Sequence, residues 1–271
     1  MDLTRSAALV LSAAGRTGSH DLVERAADLI GRGMILETAA AIAEPWLGEG
    51  GTVICPVDDA WPMGLLALGT AAPSALWIRG RLPADPRSMV SVVGSRRCSD
   101  YGVATAGQLG AAVVSSGRVV VSGGARGIDG AAHAGALRAT GGTVVVAAGG
   151  AGRVYPPEHA DLFTAAIRRG AVVWEHPPGV GLTRGSFLHR NRLIAALSLA
   201  TVVVEAADRS GALNTARTAA DLGRLVLAVP GRIDSPTVAG VHRAVADGWA
   251  ALLLGADDLV QMLGDAPHGS G

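Results

Sequence analysis

The sequence predicts an α/β fold with a doubly wound, mostly parallel sheet. From Met89 onward, short runs of β-branched residues alternate with longer segments rich in Ala and Leu. The runs are almost continuously apolar, which is typical of parallel strands covered by helices on both faces. Six strands are expected, at Met89–Val93, Val119–Ser122, Thr143–Ala147, Ala171–Trp174, Thr201–Val204 and Leu225–Val229. Helices are expected between them, near 100–116, 127–140, 158–169, 190–198 and 211–222.

The chain before Met89 has a different pattern. Residues 1–46 are rich in Ala and Leu and predict short helices, which end where Pro45 and three nearby glycines mark a boundary. Residues 47–88 form a connecting region that we expect to pack against the core. It contains two possible strands, in the stretches TVICPVDDAWP and SALWIRGRL. Residues 89–255 form the α/β domain, and residues 256–271 are expected to be a short tail whose last part, GDAPHGSG, is disordered.

Composition indicates a folded protein with a basic middle section. Of the 271 residues, 49% are hydrophobic, so a large core can be buried. All 23 basic residues are Arg, so every cationic contact to an anion would use a planar, permanently charged guanidinium. The net charge of zero divides into +6 over residues 90–250 and −3 on either side. This asymmetry favours an anionic ligand for the middle section, the alternative being a solvated, arginine-rich surface.

Cysteine content and hydropathy favour a cytoplasmic protein. Cys55 and Cys98 are far apart and have no paired spacing, so neither a disulfide framework nor a zinc site is indicated. No apolar run approaches the length needed to cross a membrane. The segment 6–15 resembles a short signal sequence, but Asp2 and the helical continuation argue against that interpretation.

Arginines are concentrated in the loops that follow the predicted strands. In an open parallel sheet, ligands bind outside the carboxyl ends of the strands, so these loops should share one rim. The five loops span 94–102, 122–129, 149–159, 175–192 and 205–215. Eight arginines lie in them: Arg96, Arg97, Arg126, Arg153, Arg184, Arg190, Arg192 and Arg209.

The composition of these loops predicts phosphate binding. Glycines after a strand let the backbone approach a ligand, and the free N–H groups at the start of the next helix point at an anion. An arginine in the same turn adds a bidentate donor that fits a phosphate. One such loop fits a mononucleotide, whereas several in a row fit a backbone of phosphates. The alternative for each loop is an ordinary strand-to-helix turn, with Ser99, Asp129 or Ser210 as the helix cap.

Two aromatic residues in the same loops predict base stacking. Tyr155 and Phe187 lie beside rim arginines, and bases of single strands stack on such rings. The alternative is that both rings anchor their loops in the core. His133 follows Asp129 by four residues, so the two could pair on one helical face, either to orient a phosphate-binding turn or simply to hold the loop.

Several classes of chemistry are disfavoured. The GGxxG pattern follows the second strand of the domain, whereas the dinucleotide fingerprint follows the first strand and requires a later acid, so a nicotinamide cofactor is not expected. The histidines lack metal-ligand spacing, and no Ser or Cys lies in a nucleophile motif. The sequence therefore predicts a protein without cofactor, metal or catalytic residues.

The chain resembles the DNA-processing protein A (DprA, or Smf) family. The resemblance extends over about residues 53–250, with the motifs in the family's order and spacing. The residues that carry it are VVGSRRCSDYG (92–102), VSGGARGIDGAAHAGAL (121–137), GAGRVYPPEHADLF (150–163), RNRLIAALS (190–198), VVVEAADRSGALNTARTAADLGR (202–224) and AVPG (228–231).

The resemblance implies a fold and a function. The family has an extended Rossmann-like domain, often preceded by a small helical SAM-like domain, which residues 1–46 would form. It binds single-stranded DNA with little sequence preference, loads RecA onto it, and protects incoming strands during transformation. Family members commonly form homodimers, and no enzymatic activity or cofactor is associated with them.

The resemblance also assigns candidate binding residues. Gly94, Ser95, Arg96 and the adjacent Arg97 belong to the first phosphate-binding turn. Ser122, Gly123, Arg126, Gly127 and Asp129 form the second loop, and Arg190, Asn191 and Arg192 the third element. Some positions depart from the family: Pro157 stands where members often have a lysine, and Gly124 where a leucine is common. The 16 residues after Gly255 are too few for the C-terminal winged-helix domain of many members.

Two other functions remain open at this stage. A Rossmann-like phosphoribohydrolase of the lonely-guy type cleaves nucleoside monophosphates and carries a Pro-Gly-Gly-x-Gly-Thr stretch followed by catalytic acids. This sequence has DRSGALNTA in that region, with only Glu205 before it. A sensor that binds a small nucleotide is the third possibility.

Overall fold

The computed structural model describes residues 2–18 and 21–264. The strands are β1 (Thr52–Ile54), β2 (Leu76–Gly80), β3 (Met89–Val93), β4 (Val119–Ser122), β5 (Thr143–Val146), β6 (Ala171–Trp174), β7 (Ala200–Val203), β8 (Leu225–Ala228) and β9 (Ala251–Leu252). The helices are α1 (Leu3–Ala13), α2 (Leu22–Ile30), α3 (Ile35–Gly48), α4 (Asp100–Ser115), α5 (Ile128–Arg138), α6 (Ala160–Arg169), α7 (Arg184–Leu197), α8 (Gly211–Asp221), α9 (Ala239–Ala246) and α10 (Ala256–Leu263).

The strands described form one sheet in the order β1-β2-β6-β5-β4-β3-β7-β8-β9. Every pair from β6 to β9 is parallel, whereas β2 pairs antiparallel with both β6 and β1. The chain builds outward from β3 through β4, β5 and β6, then crosses through α7 to β7 on the other side of β3. The predicted mostly parallel, doubly wound sheet is confirmed, and its topological switch point lies between β3 and β7.

Helices cover both faces of the sheet. Consecutive residues of a strand point to opposite faces, and here both sets are apolar, so each face must be buried. On one face, Val121, Val144 and Val173 pack with α7, α8 and α9. On the opposite face, Val145 and Val172 pack with α1, α3 and α6. The rest of that face packs against α4, α5 and α10. The near-continuous apolar strands of the sequence are therefore explained by burial on both sides.

The N-terminal helices and the connecting region pack directly on this architecture. The helix α1 is buried almost throughout, and its Ser12 hydroxyl donates to the carbonyl of Glu175 at 2.8 Å. The two possible strands of the connecting region are present as β1 and β2, which extend the sheet beyond β6. Among the described residues, no helix is long and apolar enough to cross a membrane.

Two segments differ from the sequence-based expectation in extent. The helix expected near 190–198 begins earlier, at Arg184, because Thr183 and Ser186 form a reciprocal capping box at its start. Residues expected to begin a tail form α10, whose Leu259 and Leu263 are buried against the domain. Most of the GDAPHGSG stretch, residues 265–271, lies outside the described part of the chain.

Candidate nucleic-acid interface

A cleft of about 560 Å³ lies at the switch point, where β3 and β7 end. We call it the rim cleft. Loops after β3, β4 and β5 form it together with α7 and the start of α8. Its lining residues include Gly94, Ser95, Arg96, Ala125, Asp129, Tyr155, Arg184, Phe187, Leu188, Arg190, Asn191, Ser210 and Gly211. The structure thus brings together residues from all five loops that the sequence singled out.

The loop after β3 is fixed by backbone contacts to its neighbours. The N–H of Ser95 donates to the carbonyl of Glu205 at 2.7 Å, and the N–H of Ile128 donates to the carbonyl of Ser95 at 3.3 Å. A Cβ on Gly94 would meet the Ile128 side chain at 2.5–2.9 Å, so the loop needs glycine there. The Ser95 hydroxyl accepts from the N–H of Arg97 at 3.0 Å, which shapes the turn. Arg96 and Arg97 are left exposed.

The loop after β4 contributes Ala125 and Asp129 to the cleft, and its Ser122 and Gly123 are buried. The Asp129 carboxylate accepts from the N–H groups of Gly123 at 3.1 Å and Ala125 at 3.4 Å. Burial raises its pKa, and the nearby Arg190 charge and these donors oppose that rise. Ser122 donates to the carbonyl of Val92 at 2.7 Å and is fully buried. Gly127, at φ +76°, contacts the backbone of Ser95 so closely that a side chain would collide with it.

Arg190 is buried in the wall of the cleft and lacks a full set of acceptors. Its side chain donates to the carbonyl of Val146, while its Nε has no hydrogen-bond partner in the described residues. Only 5% of Arg190 is exposed. Burial lowers its pKa to about 10, with the Asp129 charge opposing that change, so Arg190 remains cationic at neutral pH. A buried cation with an unsatisfied donor is costly, and the charge of an anion in the cleft would offset part of that cost.

Asn191 and Arg192, next to Arg190, hold other segments in place. The Asn191 amide donates to the carbonyl of Gly211 at 3.0 Å, which ties α7 to the start of α8. Arg192 donates to both carboxylate oxygens of Glu175, at 2.9 and 2.5 Å, and to the carbonyl of Ala71 at 2.8 Å. Arg192 does not line the cleft, because α7 turns its side chain toward Glu175.

Glu175 is the acidic partner in this buried pair. Burial opposes its ionisation, but hydrogen bonds from His189 and Arg192 and their charges outweigh burial and lower its pKa to about 2. Glu175 follows β6 and Arg192 lies on α7, so the ion pair fixes α7 relative to the sheet. Through α7, the pair positions Arg190 and Asn191.

The two aromatic residues lie against each other at the mouth of the cleft. The ring centroids of Tyr155 and Phe187 are 5.4 Å apart, with the planes tilted by 57°. The Arg96 guanidinium lies over Phe187, with Cζ 4.7 Å from the ring centroid. Tyr155 is 41% exposed, so these rings are not buried anchors in the core.

Most of the eight rim arginines have no carboxylate partner. Arg126 pairs with Glu158 on the exposed surface beside the cleft, and Arg192 pairs with Glu175. The others make no ion pair with a described residue: Arg96, Arg97, Arg153, Arg184, Arg190 and Arg209. The rim therefore carries unneutralised positive charge.

One expected pairing is wrong. His133 does not bond to Asp129; its Nδ1 instead lies 2.6 Å from the Thr143 hydroxyl on β5. The helix α5 packs His133 against the sheet, where it is fully buried, while the Asp129 carboxylate turns toward the backbone of its own loop. Burial lowers the pKa of His133 to about 3, so the ring is neutral at physiological pH.

The start of α8 completes the cleft and was absent from the predicted set of binding residues. Ser210 caps this helix by accepting from the N–H of Leu213 at 3.2 Å, and the first residues of α8 line the cleft. The signal was visible in the sequence, since Ser-Gly-Ala-Leu-Asn follows a strand on the far side of the switch point. A helix start adds partial positive charge beside the arginines.

No carboxylate in the described lining of the cleft is free to act as an acid or base. Asp129 is held by backbone N–H groups. Glu205, the acid nearest to the region where a phosphoribohydrolase would carry its catalytic residues, is 2% exposed and accepts from the N–H and hydroxyl of Ser99. It supports the start of α4 and does not line the cleft.

These features define a Rossmann-like α/β protein with an arginine-rich cleft at its topological switch point. The sequence model of the DNA recombination-mediator protein A family matches residues 52–264. The chain belongs to this family, as its motifs predicted.

Relatives extend the match over most of the chain. A DprA protein of Mycobacterium tuberculosis is 41% identical over 264 residues, which are 93% of this chain and 64% of that protein. Smf of Escherichia coli is 37% identical over 83% of this chain and 62% of its own length. The chain thus spans less than two thirds of these relatives.

Solved structures show the same fold. The crystal structure of DNA processing protein A from Streptococcus pneumoniae superposes with a TM-score of 0.75 at 29% identity, over 96% of this chain and 93% of that one. DNA processing protein A from Helicobacter pylori, at 24% identity, superposes with a TM-score of 0.68 over 79% of this chain and 95% of that one.

Proposed function

We propose that this chain binds single-stranded DNA in the rim cleft and acts as a recombination mediator. The observation that carries the proposal is the buried, incompletely bonded Arg190, which lines the same cleft as Arg96 and Arg184. Membership of the DNA recombination-mediator protein A family supports the mediator role. The DNA processing protein A of Helicobacter pylori is described as binding single-stranded DNA, which supports the proposed ligand.

The predicted phosphate contacts divide into two groups under this proposal. Gly94, Ser95, Arg96, Asp129, Arg190 and Asn191 line the cleft and would face the strand. Arg97 and Arg126 lie on the exposed rim, where they would meet phosphates that leave the cleft. Ser122, Gly123, Gly127 and Arg192 would act indirectly, by shaping the loops and holding α7.

Unpaired bases would stack at the mouth of the cleft. Tyr155 is exposed and lies against Phe187, which itself carries Arg96 on its face. Such a platform accepts any base, because every base offers a π face, so binding should show little sequence preference. A duplex hides its base faces and would lose this contribution.

The proposal extends to partners and cellular role. We expect the chain to load RecA onto the bound strand and to protect incoming DNA in transformation or repair. We expect it to act as a cytoplasmic homodimer, without a cofactor and without enzymatic turnover. The absence of a free carboxylate among the described cleft residues supports a non-catalytic role over a phosphoribohydrolase.

Fluorescence anisotropy with labelled oligo-dT and a duplex of equal length tests this function. Tighter binding to oligo-dT, weakening steeply with salt, is expected. Equal affinity for both, or binding to neither, would reject the proposal. Release of adenine from adenosine monophosphate would favour the phosphoribohydrolase, and thermal stabilisation by mononucleotides but not by oligonucleotides would favour a sensor.

A further inference from the structure

A second arginine-lined pocket lies at the opposite edge of the sheet from the rim cleft. Its volume is about 570 Å³. Gly80, the last residue of β2, pairs with Ala171, the first residue of β6, so this pocket is at the amino ends of the parallel strands. We call it the amino-edge pocket; its lining residues are Gly80, Arg81, Pro83, Val119, Ile167, Arg168, Arg169 and Gly170.

The charge of the amino-edge pocket is uniformly positive. Three of its residues are arginines and none is acidic. Arg169 donates to the carbonyl of Thr140 at 2.7 Å, beside the end of α5. Arg81 and Arg168 are exposed, and neither side chain has a hydrogen bond or ion pair within the described residues. Three arginines in the lining of one pocket give it a positive potential, which an anion bound there would lower.

A third cavity shares a lining residue with the amino-edge pocket and has one next in sequence to a residue of the rim cleft. It lies between α3 and α6, has a volume of about 440 Å³, and we call it the α3–α6 groove. Val154 lines its upper end, next to Tyr155 of the rim cleft. Ile167 lines its lower end and also lines the amino-edge pocket. The groove therefore lies between the rim cleft, at the carboxyl ends of the parallel strands, and the amino-edge pocket, at their amino ends.

The α3–α6 groove itself is compatible with a nucleic-acid strand. Arg79 lies over the Trp46 ring, with its Cζ 4.2 Å from the centroid. The Arg79 guanidinium forms an ion pair with the Glu49 carboxylate at 2.9 Å. Glu49 therefore adds no unpaired negative charge that would repel a phosphate. An unpaired strand is flexible enough to follow such a path. A duplex has a persistence length of about 150 base pairs, so it is too stiff to enter the groove.

We propose that a single strand longer than the rim cleft continues through the α3–α6 groove, and that its phosphates bind Arg81 and Arg168 in the amino-edge pocket. This inference rests on the proposed function, because the strand enters from the rim cleft. The binding footprint would then extend from the carboxyl ends of the parallel strands to their amino ends.

Length-dependent binding by the Arg81→Ala/Arg168→Ala variant tests the inference. Affinity is measured by anisotropy in a salt series, with oligo-dT of about 5 nucleotides, which fills only the rim cleft, and of about 20 nucleotides. For the long strand we expect severalfold weaker binding. The slope of log K against log salt should fall by about 1.4, since each phosphate contact to a single strand contributes about 0.7. Affinity for the short strand should be unchanged.

A matched variant controls for the loss of two charges. Arg16 and Arg243 are exposed and lie outside all three cavities, so Arg16→Ala/Arg243→Ala should bind both lengths like the wild type. Unchanged binding of the long strand by Arg81→Ala/Arg168→Ala would overturn the inference, as would an equal loss in the control or for the short strand. If Arg81→Ala/Arg168→Ala binds the long strand normally while Arg96→Ala weakens its binding, only this inference fails and the rim cleft remains the binding site. If the wild type binds neither strand, the proposed function fails with it.

Discussion

The backbone of Gly123 lies directly against the guanidinium group of Arg190. A Cβ at position 123 would collide with both terminal nitrogens of that group and lie 2.6 Å from its central carbon. The glycine after β4 therefore leaves room for a buried cation that comes from α7, 67 positions later in the sequence. Close approach to an arginine, rather than to a ligand, explains this glycine.

Gly123→Ala should displace Arg190 and weaken binding of single-stranded DNA. A hydrogen bond to a charged group contributes about 1.5–3 kcal/mol, so a loss of about tenfold to a hundredfold in affinity is expected. Anisotropy with oligo-dT measures it, and thermal unfolding checks that the variant is folded. Gly181→Ala is the control, because a Cβ there would meet nothing within 4 Å. Arg190→Met should reproduce the loss, and full affinity in both variants would exclude Arg190 from binding.

Tyr155→Leu should weaken binding equally for strands of different base composition. Stacking of one base on an aromatic ring contributes about 1–3 kcal/mol, and the leucine removes it without changing charge. The slope against salt should therefore stay as in the wild type. Tyr101→Leu is the matched control, since Tyr101 is also exposed but donates to the carbonyl of Pro230 at 3.1 Å, away from the cleft. A Tyr155 variant that binds like the Tyr101 variant would show that this ring does not contact bases.

Glu158→Gln should strengthen binding. Glu158 pairs with Arg126 on the rim and competes there with phosphate, so its removal leaves the guanidinium available. The slope against salt should steepen by about 0.7, the contribution of one added phosphate contact. Glu44→Gln, an exposed change on α3, should leave binding unaltered. Weaker binding by Glu158→Gln would contradict this prediction and would mean that Glu158 holds Arg126 in the position that binds phosphate.

Glu175→Gln should lower the free energy of unfolding at neutral pH, and the effect should shrink in acid. The folded-state pKa of Glu175 is lowered from 4.5 to about 2, so its contribution is fully present above about pH 4.5 and is lost as the pH falls towards 2. A shift of this size corresponds to about 3 kcal/mol. Chemical denaturation of wild type and variant at pH 7 and near pH 3 measures the difference. A difference that does not shrink at the lower pH would contradict the ion pair with Arg192, and Glu44→Gln again serves as control.

The strands β3 to β8 could be predicted closely because burial on both faces leaves continuous apolar runs, such as Val119–Val121 and Val202–Val204. The strand β9 was not predicted, because it has only two residues, Ala251 and Leu252. The beginning of α7 could not, because its cap depends on Thr183 and Ser186, and a serine at the third helical position is a weak signal. The sequence also placed eight arginines on one rim. It could not show that Arg192 turns toward Glu175, since the direction of a side chain on α7 depends on where the helix begins and what it packs against.

The cleft itself followed from topology more than from any single motif. Loops after successive parallel strands must share an edge, so Ser95, Asp129 and Tyr155 could be expected together. The sequence could not show which loop residues face the cleft and which only hold the loops together. Ser122 and Gly127 look like ligand-binding loop residues in sequence, yet they join one loop to the next.

The most direct test of the central claim is the salt dependence of oligo-dT binding by Arg96→Ala/Arg184→Ala. Both side chains line the rim cleft and neither has an ion-pair partner in the described chain. If each contacts one phosphate, the slope of log K against log salt falls by about 1.4 relative to the wild type and to Arg16→Ala/Arg243→Ala. A slope identical to that of the wild type would contradict the assignment of the rim cleft as the DNA-binding site.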